Sequence, residues 1–126
     1  MGKLNIVQAI NQALGQEMEK DPDVIIIGED VAKDGGVFRV TQGLLEKFGP
    51  ERVIDTPLAE LGIIGTAIGL AAYGMKPVAE IQFMGFAYAG LEQLFSHASR
   101  IRSRSRGAFS CPLVVRTPYG IGIKPP

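Results

Sequence analysis

The residues best placed to do chemistry are Asp55-Thr56-Pro57-Leu58-Ala59-Glu60, which run directly into the apolar, glycine-laced stretch Leu61 to Gly74. Pro57 fixes the chain ahead of a helix. The first-turn N–H groups of a helix have no partner within it, so a negative charge near that end is favoured. Glu60 is therefore set to receive a proton or accept a hydrogen bond. Gly62, Gly65 and Gly69 each weaken a helix by roughly 0.8–1 kcal/mol relative to alanine. Their spacing places them on one face, which predicts that another backbone or a flat ligand lies against it. On the helix alone the plainer reading is the weightier: a helix packed tightly on a sheet, with Glu60 only a first-turn charge.

Other chemistries find less support. His97 is the only histidine, with no Cys, Asp or Glu beside it at ligand spacing, so a histidine-based metal cluster is excluded and a surface or interface place is expected. Cys111 precedes Pro112 and a strand with no evident base nearby, which suits a buried thiol better than a nucleophile. The chain has no Gly-x-Ser-x-Gly elbow, no phosphate-binding Walker loop and no complete dinucleotide fingerprint. Arg100, Arg102, Arg104 and Arg106 form one short run at the end of an amphipathic stretch, a pattern of helix-end charge or subunit contact rather than of an RNA-binding segment.

The elements that must position Glu60 alternate. Asn5 is a candidate N-cap for a helix in which Ile6, Ala9, Ile10, Ala13 and Leu14 recur at helical spacing, closed by Asp21-Pro22. Val24 to Ile27 is continuous and β-branched, the pattern of a strand buried on both faces of a parallel sheet. A loop at Asp34-Gly35-Gly36 leads to a short helix around Thr41 to Phe48, and Arg52 to Asp55 forms a strand before the Glu60 helix. Pro77 to Ile81 is a further strand, a longer helix is predicted from about Phe86 to Arg102 with Leu91, Leu94, Phe95 and Ala98 inward, and Leu113 to Arg116 is the last strand. Such alternation predicts an α/β fold with a parallel sheet flanked by helices. Ligands of open α/β sheets gather at the carboxyl ends of strands, so Glu29, Asp55 and Gln82 are candidates for a shared rim. Thr117 to Pro126 is loop chemistry with no element after it and reads as cut off.

At 126 residues, with 46% hydrophobic residues, the chain has the length of one domain with a buried core. Thirteen basic residues balance thirteen acidic ones, so no global field recruits nucleic acid or an anionic membrane. The single cysteine rules out an internal disulfide and suits a reducing compartment. Leu61 to Met75 falls short of the roughly 20 residues needed to cross a bilayer, and the N-terminus lacks the apolar core of a signal peptide. A cytoplasmic location is expected.

Read in order, several segments resemble one family closely: Gly28-Glu29-Asp30-Val31, Gly35-Gly36-Val37-Phe38, Phe48-Gly49-Pro50-Glu51-Arg52-Val53, Asp55 to Glu60, Pro77 to Phe83 and Cys111 to Gly120. The family is the β subunit of the thiamine-diphosphate-dependent 2-oxoacid dehydrogenases, the decarboxylating component of the pyruvate and branched-chain complexes. The likeness runs from about Leu4 to Gly122. It implies a transketolase-like pyrimidine-binding domain over residues 1–126, incomplete at its C-terminus and lacking the family's C-terminal assembly domain.

By this resemblance the glutamate matching Glu60 hydrogen-bonds the aminopyrimidine ring of thiamine diphosphate. It thereby favours the imino tautomer that removes the thiazolium C2 proton. Leu58 lines the cofactor pocket, Phe86 packs on the aminopyrimidine, Gln82 sits on the pocket rim, and Glu29 matches an acid near the path between paired active sites. Gly85 stands where many members have Asp, and Arg106 where a glycine is common. The implied partners are an α subunit that shares the cofactor and holds its magnesium ion, a second β subunit, and an acyltransferase core reached through the missing C-terminal part. The competing expectation is a catalytically silent folding or assembly module.

Overall fold

The computed structural model describes residues 2–120 and residue 122. Of the closing loop read from the sequence, residue 121 and residues 123–126 lie outside the described residues. Four parallel strands, β1 (Val24–Gly28), β2 (Val53–Asp55), β3 (Lys76–Glu80) and β4 (Val114–Arg116), form one sheet in the order β2-β1-β3-β4. Every residue of β1 is buried, as a continuous β-branched run between two neighbouring strands requires.

Helices cover both faces. On one, α3 (Glu60–Ala72) lays Ile63, Ile64, Ala67 and Ile68 over Ile25, Ile27, Ala79 and Ile81. On the other, Met18 of α1 (Ile6–Lys20) and Leu44 of α2 (Leu44–Phe48) join Val24, Ile26, Val53 and Val78. The alternation of β1 thus serves two separate cores. Asn5 caps α1 through its side chain, and Gln8 returns the bond to the Asn5 N–H, so two orphan amides are satisfied reciprocally. At the other end, Arg52 donates to the carbonyls of Met18, Asp21 and Val24, joining the end of α1 to the start of β1. Only Gly15 and Met18 of α1 are buried. Its apolar face of Ile6, Ala9, Ile10, Ala13 and Leu14 lines an open groove with Val24, Val78 and Val114.

Two expectations are corrected. The stretch predicted as one helix from Phe86 to Arg102 is a 3₁₀ segment (Met84–Gly90), a π segment (Gln93–Ala98) and a short α4 (Ile101–Arg104). The wider π turn shifts the phase of the pattern, so Phe95, expected inward, is 64% exposed. The helix expected from Thr41 spans only Leu44–Phe48, because Thr41 serves the preceding loop: its hydroxyl donates to the Val31 carbonyl, fully buried. Within the described part of the chain, little packs on the glycine face of α3. Added Cβ atoms at Gly62 and Gly65 would meet only Ala59 and the Gln93 side chain at ordinary contact, and one at Gly69 would meet nothing. The buried face of α3 is the aliphatic one.

Two features generate stability predictions. Glu80, 2% exposed, is paired with Arg116 across the β3–β4 register, and burial pushes the Arg116 guanidinium below its ordinary range. Arg116→Leu leaves a buried, unpaired carboxylate and should lower the unfolding free energy by about 3 kcal/mol, most of it regained in Glu80→Leu/Arg116→Leu. Urea denaturation of both variants measures this, and an unchanged single variant would show that the pair is dispensable. Arg106 holds φ 52° beyond α4, the left-handed region that favours glycine. Arg106→Gly should therefore raise stability by about 0.5–1 kcal/mol, read as a higher melting temperature.

Candidate active site

The register aligns the carboxyl ends of all four strands. Gly28 lies opposite both Asp55 and Glu80, and Glu80 lies opposite Arg116. The residues that follow each strand therefore share one edge: Glu29 after β1, Thr56 after β2, Gln82 shortly after β3. The β2–α3 connection leaves from the same edge, so Glu60, the first residue of α3, opens onto it. The N-cap, Ala59, offers no side chain to the first-turn amides. Glu60 is half-buried, and no ion pair joins its carboxylate to another described residue. The Thr56 hydroxyl, at the head of the same connection, is buried with no hydrogen-bond partner among the described residues.

Glu29 is 7% exposed, and burial pushes its carboxyl above the ordinary glutamate range, with the negative charges of Glu60 and Asp30 adding to the effect. Two acids read separately in the sequence thus face one another electrostatically. Gly28 permits this approach of strand ends, since a Cβ there would stand 2.9 Å from the Glu80 carbonyl oxygen and 3.0 Å from Val31 Cγ1.

The loop after Glu29 is held from two strands. Asp55 accepts the Ala32 N–H through Oδ1 at 2.7 Å and the Lys33 N–H through Oδ2 at 3.3 Å. Gln82 donates from Nε2 to Asp30 Oδ2 at 2.9 Å. Asp55, expected on the rim, is there as a clamp on backbone amides. Asp30 was missed by the sequence reading, and its signal was its place in the run Gly28-Glu29-Asp30.

Phe86 is half-buried and meets Phe83 edge-on with centroids 5.6 Å apart, and Phe83 meets Phe38 in the same way at 5.7 Å. These edge contacts tie the 3₁₀ segment to the end of β3 and to the Gly35-Gly36 loop. Gly90 closes that segment against α3: a Cβ there would lie 2.8 Å from Ile64 Cγ1 and 3.2 Å from the Glu60 carbonyl oxygen. Nothing in the sequence singles Gly90 out from the neighbouring glycines. Leu58 stands apart in solvent, 79% exposed. The structure therefore brings Glu29, Glu60 and Gln82 to one rim with Phe86 on the segment packed against it, and leaves Leu58 uncovered. His97 is half-exposed with Nε2 3.9 Å from Glu92 Oε1, an acid the sequence reading had not placed near it. Cys111 packs on the α3 core, partly buried, and burial raises its thiol.

The family described as "Transketolase, pyrimidine binding domain" matches residues 2–126. The chain belongs to this family. Among its curated relatives, the pyruvate dehydrogenase E1 component subunit beta of Acholeplasma laidlawii is 52% identical over 124 residues, covering 98% of this chain and 38% of that protein. The 2-oxoisovalerate dehydrogenase subunit beta of Bacillus subtilis is 52% identical over 123 residues, with the same two shares. The chain thus spans well under half the length of these relatives. A solved structure described as "Split gene transketolase, inactive beta4 tetramer" matches with TM-score 0.58 and 26% identity, over 74% of this chain and 29% of that one. The relatives are β subunits of pyruvate and branched-chain 2-oxoacid dehydrogenases. Among the described residues, no helix is long and apolar enough to cross a membrane.

Within this pyrimidine-binding domain the Glu29 shift has a consequence for stability. The folded chain keeps that proton to a higher pH than the unfolded chain does. Its contribution is therefore full below the ordinary glutamate range and is lost as pH rises through the folded value. Glu29→Gln should remove this loss, so the variant declines less than the wild type between about pH 4 and about pH 7 in denaturant titrations. Parallel declines would show that Glu29 titrates as an ordinary surface acid.

Proposed function

We propose that this chain is part of a β subunit of a 2-oxoacid dehydrogenase and supplies the aminopyrimidine side of a thiamine diphosphate site, for oxidative decarboxylation of pyruvate or a branched-chain 2-oxoacid. The observation that carries this reading is Glu60: a carboxylate at the first turn of α3, without an ion-pair partner among the described residues, beside a second acid that burial keeps protonated more readily. The family description and the two relatives support it.

The residues present suit one half of such a cofactor. Glu60 provides an acceptor for a ring nitrogen, Phe86 an aromatic surface on the adjoining 3₁₀ segment, and Leu58 an apolar side chain with nothing over it. The Thr56 hydroxyl is a buried polar group in the same connection with no partner among the described residues. When bound, thiamine diphosphate supplies a nucleophilic carbon and an electron sink for the departure of carbon dioxide. Glu60 holds the proton relation to the ring nitrogen, and its work is general acid–base rather than nucleophilic. Burial first, and then the negative charges of Glu60 and Asp30, let Glu29 keep its proton more readily than a free glutamate. The diphosphate, its magnesium ion and the oxoacid fall to an α subunit in this reading. A second β subunit and an acyltransferase core complete the assembly.

One observation favours a second reading, a silent assembly module: the outward face of α3, with Leu61, Gly62, Thr66 and Gly69 exposed, is apolar and suited to association. The two readings separate in the full-length β subunit with its α partner. Glu60→Gln should lower decarboxylation by about 100-fold or more, the scale of a lost acid–base group. Near-normal turnover would remove Glu60 from the chemistry. Calorimetric titration with thiamine diphosphate and magnesium should give heat only if the assembly binds cofactor, and none if the module is silent.

A further inference from the structure

Asp30 holds φ 57°, a left-handed conformation that is uncommon outside glycine and that aspartate and asparagine adopt more readily than other residues. It follows Glu29 directly, so its dihedral angles set both the direction in which the chain leaves β1 and the way Glu29 is presented to the rim. Two contacts keep it there. Its carbonyl accepts the Gly36 N–H at 2.8 Å, which closes the loop on itself, and its carboxylate accepts from Gln82 Nε2 at 2.9 Å. The first contact is internal to the loop. The second ties the turn to another strand, since Gln82 lies two residues beyond β3. The Asp55 clamp takes hold only further along, at Ala32 and Lys33.

We infer that Gln82 is a positioning residue acting through Asp30: its side-chain amide pins the left-handed turn after β1 and so fixes how Glu29 is presented to the edge that Glu60 opens onto. This rests on the acid–base reading of Glu60 given above, and it differs from the expectation that Gln82 meets the cofactor on the pocket rim. The direction of the bond is fixed by chemistry. A carboxylate oxygen accepts here, so the amide nitrogen faces Asp30 and one of its two N–H donors is taken up there. A carboxylate at position 82 would repel Asp30, and an apolar side chain would leave it unheld. Exchanging the two chemistries, with the carboxylate at position 82 and the amide on the turn, rebuilds the same hydrogen bond with donor and acceptor reversed. Asparagine also tolerates the left-handed region.

The test uses the full-length β subunit carrying Gln82→Met, Gln82→Glu, or Asp30→Asn with Gln82→Glu. Hydrogen–deuterium exchange over residues 29–36 is read in the free subunit, and thiamine diphosphate affinity and kcat are read with the α partner. Each single variant should speed exchange in this segment and lower kcat by about tenfold, with cofactor Kd changed by less than about twofold, and the exchanged pair should restore both. Unchanged exchange in the single variants overturns the inference. So does a fall in cofactor affinity that the exchanged pair fails to restore, since that marks a direct contact. Glu60→Gln runs beside these. If it stays active, the acid–base reading fails, whereas if it is inactive and the Gln82 variants match wild type, only the positioning role fails.

Discussion

The pairing of β1 with two strands at once is the constraint on which the remaining structure depends. Gly28 must lie opposite Asp55 on one side and Glu80 on the other, and the absence of a side chain at that point lets the ends of β1 and β3 close to contact. A slip of one residue would reverse every side chain of β1, exchanging Ile25 and Ile27 with Val24 and Ile26 between the two cores. It would also carry Glu29 away from the edge that Glu60 opens onto. The register that fills the cores is therefore the same register that assembles the rim.

Charge near that edge is handled in two ways. The Glu80–Arg116 pair is almost fully withdrawn from water, and its attraction has to offset the desolvation of both groups. Glu29, buried without a cation, responds by holding its proton more readily. The paired acid in the sheet joins two strands, whereas the acid without a cation partner among the described residues takes up its proton more readily.

The sequence made much of this legible. The β-branched run from Val24 to Ile27 read correctly as a doubly buried strand, because residues buried on both faces leave no alternation to misread. Asn5 and the apolar spacing that follows it marked α1, and the Asp55 to Glu60 motif marked the acid at the start of α3. The region after β3 was misread because a helical period of apolar residues does not reveal how tightly the backbone winds. Gly90 must press against the first turn of α3, and the chain meets that demand by tightening to 3₁₀ before it and widening to π after it.

By itself, then, the sequence determined the alternation of strands and helices up to β3 and the family likeness, and it singled out Glu60 as a candidate, since local pattern and motif spacing are written along the chain. Only the tertiary structure decided that Asp55 grips Ala32 and Lys33, that Gln82 holds Asp30, and that Glu29 and Glu60 act on one another. Asp30 and Gln82 are 52 positions apart and meet because β1 and β3 are neighbours in the sheet, a pairing fixed by the burial of whole strands rather than by any local signal.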